Sequence, residues 1–480
     1  MKSCSKIFAA TAVILSVACC SPRTEVSVDG GETVINLLGG KNLSDFVLTG
    51  QACLDKGASA EIKFHSVKGS DQGYSVLFHN GSIDGTRKTG SLSSVRNLYR
   101  SLAQDGEWFP FEIAVRGKNI GVRINDTDVV CYTEPENPWR SEEHSGMVLG
   151  KGKFMLVGVK GHCEFKDLKV VVPEVGAVNP CDSLPPIDEQ NDHIIRLQQK
   201  DYPVIDWHVH AKGGLTLEMA HAMSMNYGIN YGVGPNAYGP MQPGEGGYGT
   251  MYTGDEDLGE YYETVKDLPF ILGVQGEGRK WSYSFSDEVL SKFDELYTDA
   301  MTVVDHKGRL TRTYRPEEVH MDIPKEAYMD MLVDQMVKIL STEPADIFAN
   351  AFYIPEVLSG IPGAPASGAE ASNYIPSDQG ETYDFYWTDE RVIKVLNVLK
   401  EYGIALEISA RYKIPSKRII EMAKARGIKF TFGTNNMGLG YGKLEYSIQM
   451  AKECGITPAD LWWPVMSTRS DRVKALSAAK

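Results

Sequence analysis

The densest chemistry in the chain sits in one short run, Val204-Ile205-Asp206-Trp207-His208-Val209-His210. Apolar residues lead into Asp-x-His-x-His. Alternate residues of a strand share a face, so Asp206, His208 and His210 are expected to converge where the strand ends. Two imidazoles at that spacing suit a divalent metal ion such as zinc, manganese, iron or nickel. A hydrogen-bonded histidine pair without metal is the plainer alternative. Other apolar runs also end in polar clusters: Gly273-Val274-Gln275-Gly276-Glu277-Gly278, Val303-Val304-Asp305-His306, Ala405-Leu406-Glu407-Ile408-Ser409 and, after Lys429–Phe432, Gly433-Thr434-Asn435-Asn436. Glu277 and His306 are further polar candidates at these strand ends. Asp206, Asp305 and Glu407 are the candidate general bases. Lys212 and Arg411 could neutralise a developing anion, against the alternative of solvated surface cations.

For these clusters to meet, parallel strands must end at one rim. The second half of the chain carries the required alternation. Val204–Trp207, Phe270–Val274, Met301–Val304, Ile347–Phe352, Ala405–Ile408 and Lys429–Phe432 read as strands. Leu217–Tyr227, Ser286–Tyr297, Ala327–Leu340, Arg391–Tyr402, Ser416–Arg426 and Leu444–Cys454 read as helices. Strand-then-helix order predicts a (β/α) barrel of roughly seven or eight strands, with its active site at the C-terminal ends of those strands. Two Gly/Pro-rich insertions, Gly232–Gly254 and Ser359–Tyr383, have the length of lids or binding loops.

Upstream the texture changes. Thr33–Leu38, Ala60–Phe64, Ser75–Phe78, Phe111–Val115, Ile120–Ile124, Val129–Tyr132, Phe154–Val159 and Phe165–Val172 are short alternating or apolar runs. They predict an antiparallel β-sandwich of concanavalin or jelly-roll type over residues 25–173. Asn125-Asp126-Thr127-Asp128 reads as a hairpin turn. Residues 174–200 read as a linker with one short helix, 201–466 as the barrel and 467–480 as a tail. Met1–Lys6 is basic, Ile7–Val17 is apolar, and Leu15-Ser16-Val17-Ala18-Cys19 ends like a lipoprotein signal. Cleavage of residues 1–18 and lipidation of Cys19 are expected, with Cys20 or a plain signal peptide as alternatives. The protein would then be exported and anchored to the bacterial cell envelope. Eight cysteines show no zinc-type CxxC pairs. Cys53, Cys131 and Cys163 are expected as buried free thiols, with one bridge among them as the alternative. A formal charge of −14 argues against a nucleic-acid partner.

Two resemblances follow. The barrel region resembles the PHP (polymerase and histidinol phosphatase) superfamily from about Tyr202 to Pro464. The resemblance lies in DWHVH, GVQGEG, VVDH, LEISARYKIPS at Leu406–Ser416 and FTFGTNN at Phe430–Asn436. It implies a metal-dependent barrel, with one divalent metal held by His208, His210, Glu277 and His306. Asn435-Asn436-Met437 replaces the family's final Asp-x-His, and Asn350 stands where the family has a histidine. Asn350, Asn435 and Asn436 are therefore expected to contact substrate. The first domain resembles the 3-keto-disaccharide hydrolase family. Here the carrying text is GYSVLFHN (Gly73–Asn80), RKTGSL (Arg87–Leu92), GEWFPFEIAVRGKNI (Gly106–Ile120), VVCYTEP (Val129–Pro135) and FKDLKVV (Phe165–Val171). That resemblance implies binding or cleavage of glycosides oxidised to a ketone at sugar carbon 3. His79, Lys88 and Trp108 are the expected sugar contacts, each against a structural role in a turn, a strand pair or the core.

The combined expectation is an exported enzyme, hydrolase or lyase, that cleaves 3-keto-glycosides of small-molecule or oligosaccharide size, with a divalent metal assisting. The alternatives are a metal-dependent phosphoester or amide hydrolase with a carbohydrate-binding module, and a sugar-binding lipoprotein with an inactive barrel.

Overall fold

Strand alternation builds the N-terminal unit. In Phe46–Leu54, residues Phe46, Leu48, Gly50, Ala52 and Leu54 all turn to the buried face. Such a face must pack on another layer. The computed structural model describes residues 13–14, 25–31, 34–37, 42–66, 72–174, 186–239, 251–359, 379–436 and 440–464. Cys19, Cys20, Cys181, the 467–480 tail and parts of both long insertions lie outside them.

Two sheets form the sandwich. One runs Val26–Asp29, His162–Val171, Phe46–Leu54, Phe109–Arg116, Asn119–Ile124, Thr127–Thr133, antiparallel throughout. The other runs Val34–Leu37, Lys153–Lys160, Ser59–Ser66, Tyr74–Phe78, with the two-residue strand Val13–Ile14 at its edge. Aromatic rings interlock between them. Phe46 meets Phe64 and Phe154 edge-on, and Phe78 meets Phe111 and Phe165 the same way. The expected hairpin turn forms with Asn125 and Asp126 both at positive φ (49° and 62°), as a two-residue turn of this hand requires. Cys53 and Cys163 are free thiols, whereas Cys131 is in a disulfide.

The stretch expected as a linker is in part integrated into this unit. Its described portion packs because it carries partners for buried groups. The buried Glu189 carboxylate accepts from Tyr132 Oη (2.7 Å), Trp139 N (3.0 Å) and Arg140 (2.7 Å). The short helix His193–Gln198, capped by Asp192, puts the Gln198 side chain against Asn97 N (2.7 Å). Chain contacts place residues up to Val204, together with 221–229 and 267–269, in this unit.

The second unit is a nearly closed parallel barrel of seven strands in the order Ile205–Val209, Asn230–Val233, Ile271–Glu277, Glu295–Thr298, Ile347–Phe348, Ala405–Ser409, Phe430–Gly433. Outer helices include Lys325–Thr342, Asp389–Tyr402, Lys417–Lys424 and Glu445–Glu453. No helix among the described residues is long and apolar enough to cross a membrane. Strand Asn230–Val233 was not expected and runs into the stretch read as the first insertion, and two expected elements come out differently. Ser286 caps a helix of only four residues, Asp287–Leu290, and the chain then enters strand Glu295–Thr298 rather than continuing helically to Tyr297. Met301–Val304 is not a barrel strand. Thr302–Val304 pairs antiparallel with Leu310–Arg312 as a separate hairpin.

The ring closes through side chains. Among the described residues no backbone ladder joins Ile205–Val209 to Phe430–Gly433. Instead Asn436 Oδ1 accepts from His210 N (2.7 Å) while its Nδ2 donates to His210 O (3.0 Å), as a neighbouring strand would. Asp206 adds the second stitch, accepting from Thr434 N (2.9 Å) and Thr434 Oγ1 (2.6 Å). Trp207 faces outward against Trp462 and Trp463.

Candidate active site in the barrel

Period-two alternation turns Asp206, His208 and His210 to the same side of the first strand. The same rule groups Gly273, Gln275 and Glu277 on the third strand, and Glu295, Tyr297 and Asp299 on the fourth. Their hydrogen bonds join across strands into a continuous chain. Glu407 Oε2 lies 2.7 Å from His208 Nδ1, and His208 Nε2 lies 3.0 Å from Gln275 Oε1. The Gln275 amide then donates to Glu277 Oε1 (3.0 Å) and Asp299 Oδ2 (3.3 Å). Asn236 donates to Glu277 Oε1 (2.6 Å), Thr302 to Oε2 (3.1 Å), and Met301 N holds Asp299 Oδ1 (2.9 Å).

His210 is placed differently. Its Nδ1 lies 2.7 Å from the Gly234 carbonyl, an acceptor, so Nδ1 carries the proton. Its Nε2 is buried with no hydrogen-bond partner. Burial, then the positive charges of Lys212 and His208, holds its pKa well below the ordinary histidine range. His210 is thus a neutral imidazole with a bare Nε2 lone pair.

Three other groups are tuned toward neutrality. Burial, reinforced by the negative charge of Glu277, pushes Asp299 up to about 7. Burial also raises Glu277, against the hydrogen bonds of Asn236 and Thr302. Lys212, desolvated and facing Glu277, Arg411 and Asp299, falls to about 8. An acid and an amine poised near physiological pH, beside a second carboxyl raised by burial, are the equipment of general acid–base catalysis.

These bonds already occupy most of the expected metal ligands. Both ring nitrogens of His208 are engaged, by Glu407 and Gln275. Both oxygens of Glu277 already accept hydrogen bonds. Of the three that converge, His210 alone keeps a bare donor atom, Nε2, among the described residues. Among the described residues no group of three or more His, Cys, Asp or Glu side chains is arranged to hold a metal ion. In this arrangement the donors do not fit a resident metal.

The structure brings together His208, His210, Glu277, Glu407, Lys212 and Arg411 from the expected set. It uses Asp206 and Asn436 to close the ring. Asn350 and Asn435 sit at positive φ (45° and 39°), a conformation asparagine tolerates better than most side chains. Asn350 N donates to Glu407 Oε1 (3.1 Å), and the Asn435 carbonyl accepts from Arg411 (3.0 Å). Asp305 and His306 lie on the separate hairpin. Asp305 accepts from Lys307 N, Arg309 N and Arg309 Nε (2.8, 2.9 and 2.6 Å), and His306 Nε2 is 3.9 Å from Asp322. These bonds account for Asp305 as a turn-building residue. In the sandwich, Lys88 is fully buried, with Nζ on Asp84 (2.8 Å) and Thr86 (2.9 Å), so it braces its loop and offers no amine to solvent. His79 donates its backbone N–H to Thr89 (2.8 Å). Trp108 remains 39% exposed, with Lys166 Nζ 3.8 Å from the ring centroid. Cys19 lies outside the described residues.

Sequence reasoning missed Gln275 as the central link and Asp299 altogether. The signal for Asp299 was present in Glu295-Leu296-Tyr297-Thr298-Asp299, a buried strand with polar residues on one face, hidden by reading those residues as the end of a helix.

Residues 24–171 match the model of a family described as a 3-keto-alpha-glucoside-1,2-lyase-like domain. No curated protein matches the chain. Among solved structures, a candidate glycosyl hydrolase from Parabacteroides distasonis ATCC 8503 aligns at 14% identity over 31% of this chain and 81% of its own, with a TM-score of 0.28. A carbohydrate-binding module from Bacillus subtilis aligns at 15% identity over 27% of this chain and 76% of its own, TM-score 0.20. A histidinol phosphate phosphatase from Lactococcus lactis, complexed with zinc, L-histidinol and phosphate, aligns at 13% identity over 54% of this chain and 98% of its own, TM-score 0.34.

Proposed function

We propose that the chain is an exported, lipid-anchored carbohydrate enzyme that cleaves 3-keto-glycosides by elimination, with or without addition of water, using acid–base groups at the barrel mouth. The carrying observation is the convergence of Asp299, Glu277 and Lys212, all shifted toward neutrality, beside the bare Nε2 of His210. The matched N-terminal domain supplies the substrate class.

The chemistry follows from the ketone. A carbonyl at carbon 3 acidifies the C–H bond at carbon 2. Asp299, ionised near pH 7, is the group tuned to remove that proton. As negative charge gathers on the ketone oxygen, Lys212 and Arg411 stabilise it in a water-poor site. The aglycone then leaves carbon 1 and takes a proton from an acid such as Glu277, whose raised pKa favours the protonated form. Gln275 holds both carboxyls through one amide and fixes their separation.

Purified full-length protein should turn over an aryl 3-keto-glucoside and leave an aryl phosphate untouched. Because the base must be ionised, kcat/KM should rise with pH through about 7. Asp299→Asn should lower it by ~10²–10⁴-fold and remove that limb. Phosphate release without keto-glycoside turnover would defeat the proposal. The bare His210 Nε2 favours one second reading, a cation-assisted hydrolase. That reading requires His208 and Glu277 to surrender their present bonds, and elemental analysis of the purified protein tests it directly.

A further inference from the structure

We propose that His210 Nε2 and Asn350 Nδ2 recognise hydroxyls of the keto-sugar ring, one as acceptor and the other as donor; this rests on the keto-glycoside reading above and assigns its substrate selectivity. Both residues stand at strand ends, where a barrel of this kind opens. His210 follows the first strand and Asn350 the fifth, so the seven-strand order sets them on opposite sides of the mouth. Glu407 ties the two sides together. Its Oε2 lies 2.7 Å from His208 Nδ1, and its Oε1 accepts from Asn350 N (3.1 Å).

His210 is held from three directions. Asn436 clamps its backbone N–H (2.7 Å) and carbonyl (3.0 Å), the Gly234 carbonyl fixes Nδ1 (2.7 Å), and the His208 ring meets it edge-on at 5.1 Å. The proton on Nδ1 goes to Gly234 O, and a second proton on Nε2 would be buried with no acceptor among the described residues. Nε2 therefore presents a lone pair. Asn350 is buried too. Its Oδ1 accepts from Ser409 Oγ (3.3 Å), and its Nδ2 has no hydrogen-bond partner among the described residues. Buried polar atoms are nearly always paired, and leaving one bare is costly. A fixed acceptor and a fixed donor kept bare at the mouth fit a ligand that supplies both functions. A hydroxyl does, since its O–H donates and its oxygen accepts. An ionised carboxylate or a phosphate dianion brings acceptors alone, and these would face the His210 lone pair. The pair thus selects an uncharged, hydroxylated ring.

The test measures kcat/KM of the full-length protein, with a chelator present, for an aryl 3-keto-glucoside and for its analogues lacking the hydroxyl at carbon 2, 4 or 6. In the wild type at least one analogue should fall by ~10²-fold or more. His210→Phe keeps a ring in place and removes the acceptor, so it should shrink that gap to under ~10-fold. Asn350→Asp, which replaces the amide donor with an acceptor, should shrink the gap for an analogue as well. Gaps that persist undiminished in both folded variants overturn the inference and leave the keto-glycoside reading standing. So does a wild type that treats every analogue like the parent, or one that turns over only with an added divalent cation, since Nε2 would then hold the metal. No turnover of any keto-glucoside, with or without added cation, overturns both. If His210→Phe fails to fold, Asn350→Asp decides by the same criterion.

Discussion

Glu295 is a costly side chain to bury in the barrel. It is fully buried, and neither carboxyl oxygen has a hydrogen-bond partner. Two glycines make room for it: a Cβ at Gly232 or Gly273 would stand 2.3 or 2.7 Å from its Oε1. Burial, with Asp294, Asp346, Glu407 and Asp206 adding negative charge, raises its pKa well above the ordinary 4.5. The folded protein therefore holds this proton more tightly than the unfolded chain does. The penalty is absent below about pH 4.5 and grows as pH rises toward the folded value. Glu295→Gln, which removes the titration, should raise the denaturation midpoint at pH 8 by the equivalent of ~1.4 kcal/mol or more, since each pKa unit is worth that much. At pH 4 it should change little. An equal effect at both pH values, measured by urea unfolding, would contradict this account.

At the level of elements, what could be read from the sequence depended on how plainly alternation was displayed. The strand Ile205–Val209 was legible because its polar residues are large and strictly alternate. Phe46–Leu54 was not, because Gly50 and Ala52 stand on its buried face. A Cβ at Gly50 would meet the Leu168 side chain at 2.7 Å, so the small residue is required by packing that local sequence does not show. Gly276 is a similar case: Trp281 lies flat on it, with ring atoms 2.0 Å from where a Cβ would be. The polar ends of strands were legible as a set, but their division of labour was not. The Asp305 cluster looked like its neighbours until the hairpin Thr302–Val304 with Leu310–Arg312 removed it from the ring. The side-chain stitch between first and last strands was equally invisible, since it pairs residues more than 200 positions apart. Asn436→Ala should strand His210 N–H and C=O in a buried place, at about 1–3 kcal/mol for each group left unsatisfied. Chemical denaturation measures the loss, and an unchanged midpoint would remove the stitch from the account of closure.

At the scale of the whole molecule, the sandwich and the barrel were both predictable as classes, because two textures of hydrophobic alternation divide the chain. The boundary between them was less so. Pro185-Pro186 and scattered acids look like a spacer, yet Glu189 is the counter-charge for buried Arg140. Removing one member of such a pair leaves a charge without compensation, so Glu189→Ala should destabilise the N-terminal unit by ~3–5 kcal/mol. A thermal or urea transition shifted by less than ~1 kcal/mol would show that the segment is ornamental after all. The ring closure has one more bearing on how the barrel works. Among the described residues six of its seven joints are zipped by backbone, and the remaining one is held by a few side-chain amide and carboxylate contacts. Both His210 and Asp206 sit at that seam, so the residues that lock the ring shut are neighbours of the ones that would do its chemistry.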